Sequence, residues 1–459
     1  MKATFSLIVL AISSVGIAFA TSQYPVCIVG AGPTGLTVAN GLESKGYSTM
    51  VFEKDPEVGG KCQSYYEGEF FHPMGALLFS NETYTETLPI ILKSGLPFQP
   101  FAYTSKGWLF DWRTGVVNES PVSAADVYPL LKPDIDRYIE FWNANIGPNL
   151  TTIGYKNGIP SEYTVSFSDW LWENQYNPEL ISIFEDGMVP YGYGDVLDTP
   201  AIYMFQYFTP DILLFFAGQH PGYVIDFHQL FVQYAQSSVN GLIHTNTSIT
   251  KIDRSGKFPI ITYANPAGSK ATQTCSKVVL AFPPVSHALE AANLQLSAEE
   301  QEVFSPVEIT KYWSGAIQVA TPNGYAYSAV AFEPAGQLSA YLRLFDASPI
   351  ATTWSWGKTG SKQTTAQAKK LLRSTISKFN KDPNNATEIP QPVTEEDVRQ
   401  FEEWDYFPHY NTKDLEAGFY DKFNKLQGQQ NTYYASGFNG FETVEFAIRA
   451  GQDIVATYF

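Results

Sequence analysis

The stretch Val26-Cys27-Ile28-Val29 followed by Gly30-Ala31-Gly32-Pro33-Thr34-Gly35 leaves few folds open to this chain. Four apolar residues read as a short buried strand. The glycines at G-x-G-x-x-G spacing serve a tight turn, a close backbone approach to a ligand, and helix-on-strand packing. Leu36, Ala39 and Leu42 share one helical face, which predicts a helix over 34–45 ended by Gly46, and 49–53 reads as a second strand. This is a βαβ opening of a doubly wound α/β sheet. Free N–H groups at the helix start favour a diphosphate. Glu53, ending the second strand, would accept from ribose hydroxyls and disfavours a 2′-phosphate.

Just beyond lies Gly59-Gly60-Lys61, a second glycine turn with a cation, which a nicotinamide dinucleotide does not require. It fits a longer cofactor running past the ribose and diphosphate. In "HPMGALLF", Gly75-Ala76 offers bare backbone to a flat ring. The segment 88–231 is rich in Pro, Trp and Tyr, with helical patterns near 124–143, 168–188 and 200–216. Strand patterns follow at 248–253, 259–263 and 277–282, and the alternation over 310–360 predicts an antiparallel sheet. Residues 358–400 read as a polar helix, an exposed loop around 382–392 and a further short helix. From Thr432 the pattern is strand, glycine turn and a helix from Glu442 or Thr443 to the C-terminus.

At 459 residues the chain exceeds the ~250–300 residues at which single cores stop growing, so more than one lobe is expected. A net charge of −17 excludes nucleic acid and anionic membrane as expected partners. Residues 1–20 carry Lys2, an apolar run and Ala18-Phe19-Ala20, the order of a secretory signal peptide. No later stretch is long enough for a membrane span. Sequons at Asn81, Asn118, Asn149, Asn246 and Asn385 accord with passage through the secretory pathway as a glycoprotein, secreted or luminal. The three cysteines (Cys27, Cys62, Cys275) give no disulfide framework and no metal-ligand spacing. Cys27 reads as an inert core filler.

The glycine fingerprint with Glu53, the "GGK" turn, the "MGA" segment, "SITKID" and the closing "NTYYASGFNGFETVEFAIRAG" together resemble the flavin-containing amine oxidoreductases. "FEDGMVPYGYGDVLDTPAIYMFQYF" and "EEWDYFPHYNTKDLEAGFYDKF" are most similar to the β-cyclopiazonate dehydrogenase and polyenoic fatty-acid isomerase group. The resemblance implies a Rossmann-type FAD-binding domain (21–87, 225–300 and 410–459), interrupted by a helical domain (88–224) and a mixed or antiparallel-sheet substrate domain (301–409). It implies non-covalent FAD held by Gly30, Gly32, Thr34, Gly35, Glu53, Gly60, Lys61, Gly75, Ala76, Ile249, Ser436 and Val444.

The chain departs from that pattern where an acid usually follows the "YAG" strand. Here Tyr434-Ala435-Ser436-Gly437 carries none, leaving Ser436 or Glu442 to stand in. Thr443 replaces a tyrosine that often walls the amine site, which disfavours a primary-amine oxidase. Candidate substrate contacts are Tyr191, Phe205, Tyr406 and Phe438, with Tyr193, His409 and Lys311 as candidate catalytic groups.

The expected activity is FAD-dependent hydride abstraction from an apolar small molecule. It would lead to oxidative cyclisation or desaturation in fungal secondary metabolism, with O₂ as electron acceptor. One alternative is redox-neutral isomerisation of a polyunsaturated fatty acid, for which Lys106 and Arg113 are the available carboxylate anchors. The other is a non-catalytic flavin-binding protein.

Overall fold

The computed structural model describes residues 23–101, 107–121, 123–148, 152–265, 267–322, 326–330, 334–358 and 360–459. Residues 1–20, where a signal peptide is expected, and also Asn149 and Lys106 lie outside the described residues. The first strand, Val26–Val29, is wholly buried and leads through the glycine turn into the helix Pro33–Ser44. Around it a five-stranded sheet forms in the order Leu242–His244, Thr49–Phe52, Val26–Val29, Lys277–Leu280, Thr432–Tyr434. Every neighbouring pair is parallel. Sequence-distant strands thus flank the first one, and the crevice at its C-terminal end is where such sheets take their ligands. The C-terminal helix Val444–Tyr458 packs along Pro33–Ser44. Gly451 makes this possible, because a Cβ there would stand 2.8 Å from the Thr34 carbonyl oxygen.

A seven-stranded sheet forms the second layer, in the order Val398–His409, Glu308–Gln318, Ile350–Gly357, Leu338–Leu342, Ala326–Ala329, Gly107–Phe110, Val117–Glu119. It is antiparallel except where Ala326–Ala329 runs parallel to Gly107–Phe110. The last two strands come from the stretch assigned by sequence to the helical domain (88–224). Their apolar face (Trp108, Phe110) is buried against Tyr327, Tyr341 and Phe379, so hydrophobic burial moves 107–119 into the sheet layer. The short helix expected after the 382–392 loop is instead a turn that leads into the strand Val398–His409. Thr394 and Asp397 do make a cap-like turn, with the Thr394 N–H donating to Asp397 Oδ2 at 2.6 Å. The chain beyond it pairs with Glu308–Gln318 over its length.

Ala124–Phe141, Phe167–Glu173, Ile181–Met188, Ala201–Tyr207 and Pro210–Phe216 pack on one another as the helices of a third region. They pack on an aromatic cluster centred on Tyr138, Trp170 and Phe205.

Cys27 and Cys275 form a disulfide across 248 residues, with Cα atoms 5.6 Å apart, correcting the expectation of no disulfide. Spacing in the chain carried no sign of it. The parallel pairing of Cys27 with Val278 brings Cys275, just before the strand Lys277–Leu280, beside the first strand. Cys62 remains a buried free thiol. Among the described residues no helix is long and apolar enough to cross a membrane.

Candidate cofactor and substrate site

A cavity of about 820 Å³ opens at the C-terminal edge of the five-stranded sheet and reaches the other two regions. At its sheet end, Gly30 has φ of +105°, and a Cβ there would stand 2.8 Å from the Ala281 carbonyl. Gly35 has no room at all: its Cβ would fall 1.9 Å from the Gly30 carbonyl oxygen. Gly35 therefore seats the helix on the strand without itself facing the cavity. Gly32 caps the helix with no side chain, leaving first-turn N–H groups without a side-chain cap where Gly32, Pro33 and Thr34 line the cavity. Thr34 lines the wall while its hydroxyl donates to the Ala447 carbonyl at 2.8 Å, tying the two helices together.

Glu53 is 5% exposed. Its Oε2 accepts from the Ala31 N–H at 2.7 Å and its Oε1 from the Asp55 N–H at 3.0 Å. Burial nevertheless raises its carboxyl above the ordinary 4.5. One lone-pair direction on each oxygen is left for ribose hydroxyls. Ile249 lines the same end of the cavity.

Gly60, with φ of +54°, brings the second glycine turn against the first, so that a Cβ on it would stand 3.0 Å from the Gly32 Cα. A similar close approach sets Gly75 against the Lys61 carbonyl, and Gly75, Ala76, Ser436 and Val444 line the same wall. Ser436 is already engaged: its Oγ accepts from the Phe438 N–H and its N–H donates to Asn439 Oδ1 at 2.9 Å. Lys61 Nζ pairs with Glu442 Oε1 at 3.0 Å and lies 5.1 Å from the centre of the Tyr406 ring.

Beyond Lys61 the cavity becomes an aromatic chamber. Tyr84, Tyr191, Tyr193, Tyr207, Tyr312 and Tyr406 line it together with Phe215 and Phe216. Burial raises the phenol of each of these tyrosines, so they stand as neutral hydroxyls at physiological pH. The rings brace one another, with Tyr193 4.8 Å from Tyr207 and 5.3 Å from Tyr406, and Tyr312 5.0 Å from Tyr406.

Four candidate positions fall outside the chamber, and periodicity explains two of them. Phe205 sits in the helical aromatic cluster; two residues on, about 200° around the helix, Tyr207 faces the cavity instead. Phe438 packs among Tyr410, Tyr420 and Phe423. His409 is stacked on Phe407 with its Nδ1 2.7 Å from that residue's carbonyl, and burial lowers its pKa. Lys311 pairs with Glu403 at 2.8 Å, while its strand neighbour Tyr312 points into the cavity, as alternation along a strand requires. Tyr84, Tyr207, Tyr312, Phe215 and Phe216 were missed. They are scattered through the chain and carry no motif.

Asn81, Asn118, Asn246 and Asn385 are exposed. Arg113 is also on the surface, paired with Asp111 and away from the cavity.

Residues 28–90 match the NAD(P)-binding Rossmann-like domain. Over 95% of this chain and 99% of the other, the structure is similar to a CLA-producing fatty acid isomerase from P. acnes, with TM-score 0.79 and 20% identity. It is also similar to cyclohexylamine oxidase from Brevibacterium oxydans (TM-score 0.61, 15% identity, 94% and 98% covered). The chain has the amine-oxidase-like fold. An uncharacterized protein of Acanthamoeba polyphaga mimivirus is 24% identical over 100% of this chain and 98% of its own length. The FAD-dependent oxidoreductase dpasF of Apiospora sacchari is 22% identical (94% and 91% covered), and the beta-cyclopiazonate dehydrogenase of Aspergillus flavus 21% identical (65% and 63% covered).

Proposed function

We propose that this chain is an FAD-dependent oxidoreductase that removes hydride from a neutral, apolar small molecule. The observation that carries the reading is one continuous cavity leading from a diphosphate-type glycine turn into a chamber of neutral phenols. The residues present fit FAD. Two opposed glycine turns leave room for backbone approach, Glu53 has lone pairs to spare, and a buried carboxylate oxygen of Glu442 has no hydrogen-bond partner among the described residues. Gly30, Gly32 and the helix start would hold the diphosphate, Glu53 and Ile249 the adenosine end, and Gly60, Lys61, Gly75 and Ala76 the flavin side. Burial pushes up the pKa of the Cys62 thiol at the wall, which keeps it a poor nucleophile and accords with non-covalent attachment.

When bound, FAD supplies a two-electron acceptor for hydride, with O₂ as the final acceptor and hydrogen peroxide as its product. The chamber's part is to orient and to exclude water. Its rings enclose an apolar substrate, and a neutral hydroxyl such as that of Tyr406 can meet a substrate oxygen without charge. A carbon left electron-poor by hydride loss then forms a double bond, or a ring with an internal nucleophile, and a proton is released in either case. The fungal relatives favour placing this step in secondary-metabolite biosynthesis.

A second reading, redox-neutral double-bond isomerisation, is favoured by the likeness to the fatty acid isomerase. It needs an anchor for a carboxylate. Among the described residues the cavity's lysines are Lys54, exposed beside Glu53, and Lys61, already paired with Glu442. Anaerobic mixing of the holoprotein with apolar candidates separates the two readings. Lasting bleaching of the flavin band near about 450 nm with an oxidised product supports the first, whereas double-bond migration with no net bleaching and no O₂ uptake supports the second.

The secretory assignment is part of the same proposal. A buried disulfide supports folding in an oxidising compartment, and the four described sequons are accessible to glycosylation. A mobility shift on endoglycosidase treatment of the native protein tests it. An unshifted band would remove the glycoprotein part.

A further inference from the structure

We infer that Glu442 is a cofactor-anchoring residue, its carboxylate receiving a hydroxyl of the polyol chain that joins diphosphate to isoalloxazine in FAD; the inference rests on the proposed function. Of the two carboxylate oxygens, Oε1 is held by Lys61 at 3.0 Å, while Oε2 is buried and has no hydrogen-bond partner among the described residues. A buried carboxylate oxygen without a donor is costly, and a ligand hydroxyl at this point would relieve that cost. Three observations fix the place. Glu442 lines the cavity between the glycine turns and the tyrosine chamber, where a cofactor extending from one to the other carries its hydroxyls.

Gly437 leaves the space open. A Cβ built there would meet the Glu442 Cα at 3.1 Å and Oε2 at 3.2 Å, so Glu442 fills the volume a side chain at 437 would take. Ser436 has its hydroxyl committed to the Phe438 N–H and makes a weaker acceptor for the ligand. The turn through Phe438-Asn439-Gly440-Phe441 thus delivers from further along the chain a carboxylate that the strand end lacks. Tyr193 holds this loop from the helical region, its hydroxyl donating to the Glu442 carbonyl at 2.9 Å.

The test uses the full chain stripped of flavin and titrated with FAD by fluorescence, with ADP as a competing probe of the adenosine end alone. Glu442→Ala is expected to weaken FAD binding at least tenfold and leave ADP binding unchanged. Glu442→Gln, which keeps an acceptor oxygen, should recover most of that affinity. FAD affinity within twofold of the parent in Glu442→Ala overturns the inference. So does an equal loss of FAD and ADP binding, which would mean the residue only supports the fold. A parent protein that binds ADP but takes up no FAD would instead overturn the proposed function itself.

Discussion

The two ends of one cavity are built on opposite plans. At the sheet end the ligand would meet backbone: three glycines, a helix start, and one buried carboxylate fixed by two N–H groups. At the far end it would meet chiefly aromatic side chains, among them six tyrosines and two phenylalanines drawn from all three regions. Backbone contacts depend on spacing within a few residues, so they tolerate almost no substitution. A chamber of mutually braced rings is defined by volume and neutrality, so several sequences can build it. The first end therefore suits an invariant cofactor and the second a substrate that differs between relatives.

The sharpest way to break this comparison is at Gly35. Its added Cβ would fall 1.9 Å from the Gly30 carbonyl oxygen, a backbone atom that has no side-chain freedom with which to yield. Gly35→Ala is expected to cost more than about 3 kcal/mol, in the range of severe packing and strain effects, and to leave protein without flavin. Urea unfolding and the flavin-to-protein absorbance ratio measure both. Retention of full flavin content would show that the sheet end is as tolerant as the chamber.

A smaller loss is expected on removing the disulfide that staples the first strand. Cys27→Ala with Cys275→Ala opens a 248-residue loop. The expected cost is about 2–4 kcal/mol, read as a lower denaturant midpoint, with flavin released over the same transition. Should flavin stay bound while the rest of the chain unfolds, the sheet end would be independent of this staple.

The same contrast explains what could be read from sequence. The glycine fingerprint, Glu53 and the "GGK" turn are local patterns with one physical meaning each, and they mark the sheet end. The disulfide was illegible because it depends on strands that pair across 248 residues. The chamber was half legible. Aromatic abundance announced it, but Phe205 or Tyr207, and Lys311 or Tyr312, are choices of helix face and strand face. A shift of one or two residues exchanges core for cavity. Glu442 was visible as an acid near the closing helix. Its partner Lys61, 381 residues earlier, was not.

Glu53 gives a prediction in which affinity and stability move in opposite directions with pH. Burial raises its carboxyl above 4.5 in the flavin-free fold. A raised carboxyl contributes stability that is fully present below the unfolded value and is lost as pH rises through the folded one. Glu53→Gln removes that pH dependence, but its NH2 cannot accept from one of the two backbone N–H groups, so without flavin it should be less stable at pH 7 by about 1–3 kcal/mol, with a flatter pH profile. Ribose hydroxyls favour the ionised form, so FAD affinity of the parent should rise with pH through the elevated value and then level off. Glu53→Gln should flatten that rise and bind FAD about 10- to 100-fold more weakly at pH 8, the worth of about 1.5–3 kcal/mol in hydrogen bonds to a charged group. FAD titrations from pH 5 to 8 supply the test, and a parent profile that falls with pH would contradict the role of the ionised carboxylate.

The mildest change is expected where the chamber depends on shape. Tyr193→Phe keeps the ring braced against Tyr207 and Tyr406 and deletes the hydroxyl that donates to the Glu442 carbonyl at 2.9 Å. One neutral hydrogen bond is lost, so stability should fall by about 1 kcal/mol, with FAD affinity changed by no more than about fivefold. If neutrality and volume define the far end, the rate of flavin reduction by substrate should also change by less than about tenfold, because five neighbouring phenols remain to meet a substrate oxygen. A loss of about a hundredfold or more with unchanged FAD binding would single out this phenol as the group that meets the reacting atoms. The chamber would then be as position-specific as the glycine end, and the contrast between the two would fail at its most tolerant point.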